Sequence, residues 1–362
     1  MNNIIYSIYS RTMTTNILKQ VAGIDIAQKE LVVTLGKMDE QTDIELFAYK
    51  TFPNNVKGFK SLTEWVSKVG VTHVQCRFVM EATGVYHESL AYFLFDSGYE
   101  VSILLPNKIS NYVKTLDIKT ITDKTASQAI ARFGLERKLD LWKKPLKVFK
   151  DMRQLTRERG QLIVERTILK NQLHAEQAEA MPNYSSINRV NERIALLDKQ
   201  EKAILVELAT IIKQEKKLAD QVKNITSIPG VGKITAVIVL AETNGFELIR
   251  NKKQLVSYAG LDIKEKLSGT SVKGKPKISK KGNKHLRHAM HLPALSAIQH
   301  NERFKAIFVR LVSKHGIKMK AAVAIHRKLL ELIYIIWKTN KPFDKNYMQT
   351  TIPFDQQPGE TN

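Results

Sequence analysis

From Lys147 to Val222 the chain carries no strand signal, and this stretch constrains the fold most because it splits the sequence in three. Met152, Leu155, Leu162, Leu169 and Leu173 recur at heptad-type positions. After a break at Pro182-Asn183-Tyr184, a second series follows with Ile194, Leu197, Ile204, Leu208, Ile211 and Leu218. Apolar residues three and four apart, sustained over several turns, predict a helical hairpin or coiled coil. Arg159 and Arg166 interrupt the first series, and Glu201 and Glu215 fall on the seam of the second, so the register is imperfect. The simplest reading of 147–222 is a helical coiled-coil spacer or dimerisation arm.

Ahead of the spacer the pattern is β-like and then mixed. Val21 to Ala27, Glu30 to Leu35 and Ile44 to Thr51 are short runs of β-branched and aromatic residues, with Gln28-Lys29 as a hairpin-length break. Phe59, Leu62, Trp65, Val66 and Val69 lie at helix spacing. A strand over His73 to Met80, a helix over Tyr86 to Ser97, a strand over Glu100 to Leu105, and helices over Pro106 to Val113 and Thr125 to Phe133 complete the set. Three adjacent strands followed by alternating helices and strands is the order of a ribonuclease-H-like mixed-sheet α/β domain. The expected division is a flexible extension over 1–20, this domain over 21–140, the spacer over 147–222, a mainly α domain over 223–345 and a flexible tail over 346–362.

Charge separates the parts again. The chain of 362 residues carries a formal net charge of +22. Residues 1–140 hold 16 basic and 15 acidic side chains, whereas residues 223–362 hold 25 and 9. A surplus that large repels itself unless a polyanion offsets it, which points to nucleic acid. Cys76 is the only cysteine, which rules out an intrachain disulfide or a cysteine-based zinc site and fits a cytoplasmic protein. There is no apolar run of the roughly 18 residues a membrane span needs.

Three acids are candidates for chemistry. Asp25 lies within Gly23-Ile24-Asp25-Ile26-Ala27, where a buried charge is costly unless paired or bound to metal. Glu81 closes the apolar run Phe78-Val79-Met80, and Asp123 precedes a helix, a place where an acid can also serve simply as an N-cap. Such acids can converge at one end of the sheet and bind Mg²⁺ through oxygen ligands. In the last third, Ile228-Pro229-Gly230-Val231-Gly232-Lys233 resembles the turn of a helix-hairpin-helix, whose backbone N–H groups can approach phosphate. Between Lys264 and Arg287, nine basic residues face the single acid Glu265. Lys273, Lys275, Lys277, Lys280, Lys281, Lys284 and Arg287 are therefore candidates for nucleic-acid contact. His285, His288 and His291, three apart, are more simply packed or phosphate-facing than metal-binding.

These segments, in order, are similar to the DEDD-type insertion-sequence transposases, the IS-one-ten family, whose front domain resembles the RuvC resolvase. The likeness rests on residues 23–27, on Met80-Glu81-Ala82-Thr83-Gly84-Val85-Tyr86-His87, on the run from Thr122 to Gly134, on Ile228 to Gly232, on Tyr258 to Leu261, on Leu267 to Ser271 and on Ile278 to Arg287. The resemblance implies a DNA recombinase (nucleoid-associated) guided by a structured RNA from its element, with subunits assembling as a dimer or tetramer. It implies catalytic, Mg²⁺-binding acids at Asp25, Glu81 and Asp123, and a serine nucleophile at Ser268, with Ser271 as runner-up. The family's fourth acid falls on Ala126, a departure from the pattern. Two other readings stay open: a Holliday-junction-type nuclease in which a metal activates water, and a nucleic-acid-binding protein that has lost catalysis.

Overall fold

The computed structural model describes residues 16–344 apart from 83, 117–119, 121, 248, 266, 269–271 and 275. The chain divides into two compact units, Met1–Lys144 and Pro145–Asn362.

In the first unit, β1 (Ile17–Ile26), β2 (Glu30–Asp39) and β3 (Ile44–Pro53) form an antiparallel meander. The chain then alternates through α1 (Val56–Val69), β4 (Cys76–Glu81), α2 (Glu88–Asp96), β5 (Glu100–Leu104), α3 (Pro106–Val113) and α4 (Asp123–Glu136). β4 pairs with β1 and β5 with β4, both parallel, so the sheet order is β3-β2-β1-β4-β5. This is the mixed-sheet order of a ribonuclease-H-like domain, as the order of elements predicts. β1 begins inside the stretch expected to be a loose extension, because β2 runs on to Asp39 and supplies partners back to Ile17.

Alternation along the strands makes two cores. Ala22, Ile24, Ile26 and Phe78 pack against α1 and α2 through Phe59, Leu62, Leu90 and Leu94. On the opposite face Val21 and Val79 pack with Ile130 and Leu135 of α4 and Ile109 of α3. A strand exposes successive residues to opposite faces, so Gly23 and Asp25 share the α4 face with Val21.

The second unit opens with α5 (Lys147–Gln177) and α6 (Tyr184–Gln214), packed as a hairpin. The charges that appeared to spoil the seam pair with one another. Arg159 donates to Glu201 at 2.8 Å, and Arg166 binds both Asp198, at 2.6 Å, and Glu201. The seam residues Met152, Leu197, Ile204 and Leu208 share one core with Ala236, Leu240, Leu329 and Ile333, so the expected spacer is packed into the second unit.

The unit continues with α7 (Lys216–Thr226), α8 (Lys233–Glu242) and α9 (Lys252–Tyr258). The basic segment forms two short antiparallel pairs, β6 (Ile263–Lys264) with β9 (Lys277–Ile278) and β7 (Leu267–Ser268) with β8 (Val272–Lys273). Two helices follow, α10 (Lys284–Ala289) and α11 (His291–His300), parted at Met290. α12 (Glu302–His315) carries Phe304, Ile307, Phe308, Leu311 and Val312 at helix spacing, with Phe304 alone fully buried. α13 (Lys318–Thr339) closes the core. No helix among the described residues is long and apolar enough to cross a membrane.

Candidate active site

β1, β4 and β5 run parallel, so their C-terminal ends share one sheet edge, where parallel sheets commonly place ligands. Asp25 and Glu81 are each the next residue after the last β1–β4 pair, Ile24 with Met80, and lie side by side there. Asn54 ties the two loops that follow, donating to the carbonyls of Ala27 at 2.9 Å and Tyr86 at 3.2 Å.

α4 is seated on this edge by missing side-chain volume. A Cβ on Gly23 would lie 2.3 Å from the Ala131 nitrogen and 2.6 Å from the Ser127 carbonyl oxygen. The buried hydroxyls of Ser127 and Thr34 meet at 2.8 Å and fix the helix laterally. Gly134 sits over Val21 and Ala131 over Gly23, so the helix runs against β1. One helical turn (about 5.4 Å) and two strand residues (about 6.6 Å) advance by similar amounts, which carries Ser127 to the level of Asp25 and the first turn of α4 just past it. The N-cap is Thr122, which accepts from the Thr125 N–H at 3.2 Å while its own N–H donates to Thr125 Oγ1 at 2.7 Å. The simple N-cap explanation of Asp123 is therefore wrong: Asp123 is the first helical residue, and its carboxylate is spared the capping task.

Burial, and then the negative charges of Asp123 and Glu81, push the Asp25 carboxyl up to about 6. Burial also raises Glu81. Among the described residues, the causes acting on Asp25 are burial, the two acids and a backbone hydrogen bond from Ile26. Asp123 and Glu81 thus both act on Asp25, but among the described residues no three His, Cys, Asp or Glu side chains are close enough to cage a metal ion. Hard carboxylate oxygens with uncompensated charge suit a divalent cation in chemistry; holding one requires the side chains to draw closer. Beside them lies a cleft of about 410 Å³ lined by Glu81, Asn107, Ser110, Lys114, Thr125 and Ala126, among others. Ala126 therefore stands at the site, at the position where the sequence resemblance places a fourth acid.

In the second unit, Ser268 lies in β7, its backbone paired with Val272. Ser271 and Lys275 fall outside the described residues, and Lys273 is in β8. Lys277, Lys280, Lys281 and Lys284 are exposed along the segment that returns to α10. Arg287 is engaged internally, donating to the carbonyls of Ala259 at 2.8 Å and Gly282 at 3.1 Å. Gly230 has φ +85°, and a Cβ there would lie 2.5 Å from the Pro293 carbonyl oxygen. Close packing against α11 is thus sufficient reason for that glycine. Gly232 and Lys233 open α8 and are exposed. The three histidines do not gather: His288 is exposed, while His291 packs edge-on against His326 with ring centroids 5.6 Å apart.

Sequence reasoning missed two features. One is the polar face of α3 in the cleft, signalled only by Asn107, Ser110 and Lys114 at helical spacing after Pro106. The other is Glu242, an acid ending the apolar helix α8 and buried to 3% exposure. Arg157 donates to both of its carboxylate oxygens at 2.8 and 2.9 Å, and Asn283 adds a third bond at 2.7 Å. Burial alone would raise this carboxyl, but the bonds from Arg157 and Asn283 hold it below the usual carboxylate range.

An acid-lined edge on a 3-2-1-4-5 mixed sheet, joined in one chain to a basic helical unit, defines the class of transposases built on a ribonuclease-H-like domain. The chain belongs to the IS116/IS110/IS902 transposase family. A model described as that family matches residues 222–308, and a DEDD transposase model of IS110 type matches residues 22–182. The pilin gene-inverting protein of Moraxella bovis is 31% identical over 306 residues, covering 82% of this chain and 90% of the relative. The transposase for insertion sequence element IS1111A of Coxiella burnetii is 22% identical, covering 75% and 80%. Among solved structures, Thermus thermophilus RuvC in complex with a Holliday junction substrate is similar over 34% of this chain and 99% of that one, with 10% identity and a TM-score of 0.26.

Proposed function

We propose that this protein is a recombinase that cuts and rejoins DNA strands at the ends of a mobile element and at its target. In this reading Asp25, Glu81 and Asp123 hold Mg²⁺ and Ser268 is the nucleophile. The observation that carries it is the meeting of three acids at one sheet edge, where burial and the charges of Asp123 and Glu81 push Asp25 up to about 6. A divalent cation supplies charge stabilisation for phosphoryl oxygens in transfer reactions. The Ser268 hydroxyl oxygen forms a bond to phosphorus as the bond from phosphorus to the sugar oxygen breaks, and the departing oxygen takes up a proton. Attack by a second strand's hydroxyl on the serine ester then joins the strands and frees Ser268.

The basic second unit supports the rest of the reading. Gly232, Lys233, Lys277, Lys280, Lys281 and Lys284 lie exposed and grip phosphate, including that of a guide RNA from the element. The exposed Val164, Ile168, Leu196 and Val206 on the α5–α6 hairpin support a homo-oligomer.

The test uses the full chain with element DNA, its flanking RNA and Mg²⁺. Ser268→Ala should abolish both joined product and the covalent protein–DNA adduct; normal recombination by that variant would remove Ser268 from the mechanism. Ala126 favours a second reading, a nucleic-acid-binding protein impaired in catalysis, because it puts a methyl group where the cleft could hold a carboxylate. Ala126→Asp decides between them. Under the recombinase reading the parent is already active, whereas an inactive parent that gains no activity with this acid supports binding alone.

A further inference from the structure

The cleft beside Glu81 has a second wall that the acids do not explain. β5 ends at Leu104 on the same sheet edge as Asp25 and Glu81, and α3 begins two residues later at Pro106. Proline suits the first helical turn because its missing N–H would be unpaired there anyway. The helix buries Ile109 and Tyr112 beneath it. Asn107, Ser110 and Lys114 are spaced by three and four, the spacing that puts residues on one helix face, and all three line the cleft with Glu81, alongside the apolar Ile109 and Val113. None of the three side chains makes a hydrogen bond or ion pair among the described residues. An amide, a hydroxyl and an ammonium, each free to donate, share a cleft of about 410 Å³ with a carboxylate.

Donors of this kind suit phosphate and sugar oxygens, where most protein–DNA hydrogen bonds go. Acids that carry uncompensated charge repel a polyanion, so a strand brought to them needs positive charge and donors close by. From the geometry we infer that the Asn107–Ser110–Lys114 face of α3 is a backbone cradle for the DNA strand entering the acid edge. Lys114 pairs with one phosphate, while Asn107 and Ser110 bond its neighbours. The face reads no bases and sets only the position of the strand. The inference rests on the recombinase reading and names positioning residues rather than catalytic ones.

The test places a photo-crosslinker on the full chain by Ser110→Cys, with Lys57→Cys as control. Lys57 lies exposed on α1, which packs on the opposite face of the sheet. The only native thiol, Cys76, is pushed up to about 12 by burial and labels poorly at neutral pH. With duplex DNA bound, the Ser110 probe should give adducts and the Lys57 probe none. In parallel, Lys114→Gln should reduce the slope of log affinity against log salt by about 1, for one lost phosphate contact. Its Mn²⁺ affinity should stay at the parent value, which separates strand positioning from damage to the acids. If the protein binds DNA but the Ser110 probe reacts no more than the Lys57 probe, or Lys114→Gln leaves the slope unchanged, the cradle is wrong and the recombinase reading stands. Crosslinks to RNA and none to DNA overturn it in favour of a guide-binding wall. A parent chain that binds no DNA overturns both.

Discussion

Asp25 at the sheet edge and Glu242 at the end of α8 are both acids withdrawn from water, and the two units treat them in opposite ways. Glu242 receives a two-pronged arginine and an asparagine, and its carboxyl falls below the usual range. Asp25 receives two more acids, and its carboxyl climbs to about 6. Burial costs both, so the difference lies in what the chain places nearby. The paired acid joins α5, α8 and the N-cap of α10 into one framework. The acid beside acids stores an electrostatic cost, as expected of a working site rather than a structural one.

Asp25→Asn should sharpen the contrast most. Strand joining should fall by about 10³-fold or more, since metal-assisted charge stabilisation in phosphoryl transfer is worth several kcal/mol. The melting temperature should hold or rise, because the variant removes repulsion. A large loss of stability in Asp25→Asn would break the comparison by showing the acid to be structural. Arg157→Ala should do the reverse. It strands a buried carboxylate and should cost about 3 kcal/mol of stability, read as a lower denaturant midpoint. Replacing both partners with apolar residues should recover part of that loss.

The smallest effect is in pH. Asp25 has a folded value near 6 against 3.8 for an ordinary aspartate, so its cost is absent below about pH 4, grows through that window and is complete above 6. Urea midpoints of the parent should fall relative to Asp25→Asn between those limits. Glu242 works with the other sign: its contribution is present above 4.5 and disappears as pH drops through its lowered folded value. Added Mg²⁺ should flatten the Asp25 effect and leave the Glu242 effect untouched.

The order of strands and helices in the first unit was legible because alternation and helix periodicity act locally, within a few residues of each element. Asp25, Glu81 and Asp123 were legible for the same reason: each is an acid at an abrupt change of pattern. Their union was not visible in any local window, since it depends on Gly23 accepting α4 and on Thr122 taking over the cap. The hairpin shows the opposite error. Arg159, Arg166 and Glu201 each look like a fault when one helix is read alone, and only pairing across the hairpin turns the faults into matches. Glu242 escaped notice because its partners lie 85 and 41 positions away.

The seating of α4 also bears on when the site can exist. Ser127 meets Thr34 across 93 positions of sequence, and Ala131 meets Gly23 across a still longer interval. Contacts so distant along the chain close late, because the loop entropy must be met before they form. A nascent chain still short of α4 can pair β2 with both β1 and β3, yet it lacks Asp123 and the helix that completes the acid edge. The acid edge is therefore completed in a single step, when α4 docks on a sheet already laid down. A transposase fragment released early would be inert rather than partly active.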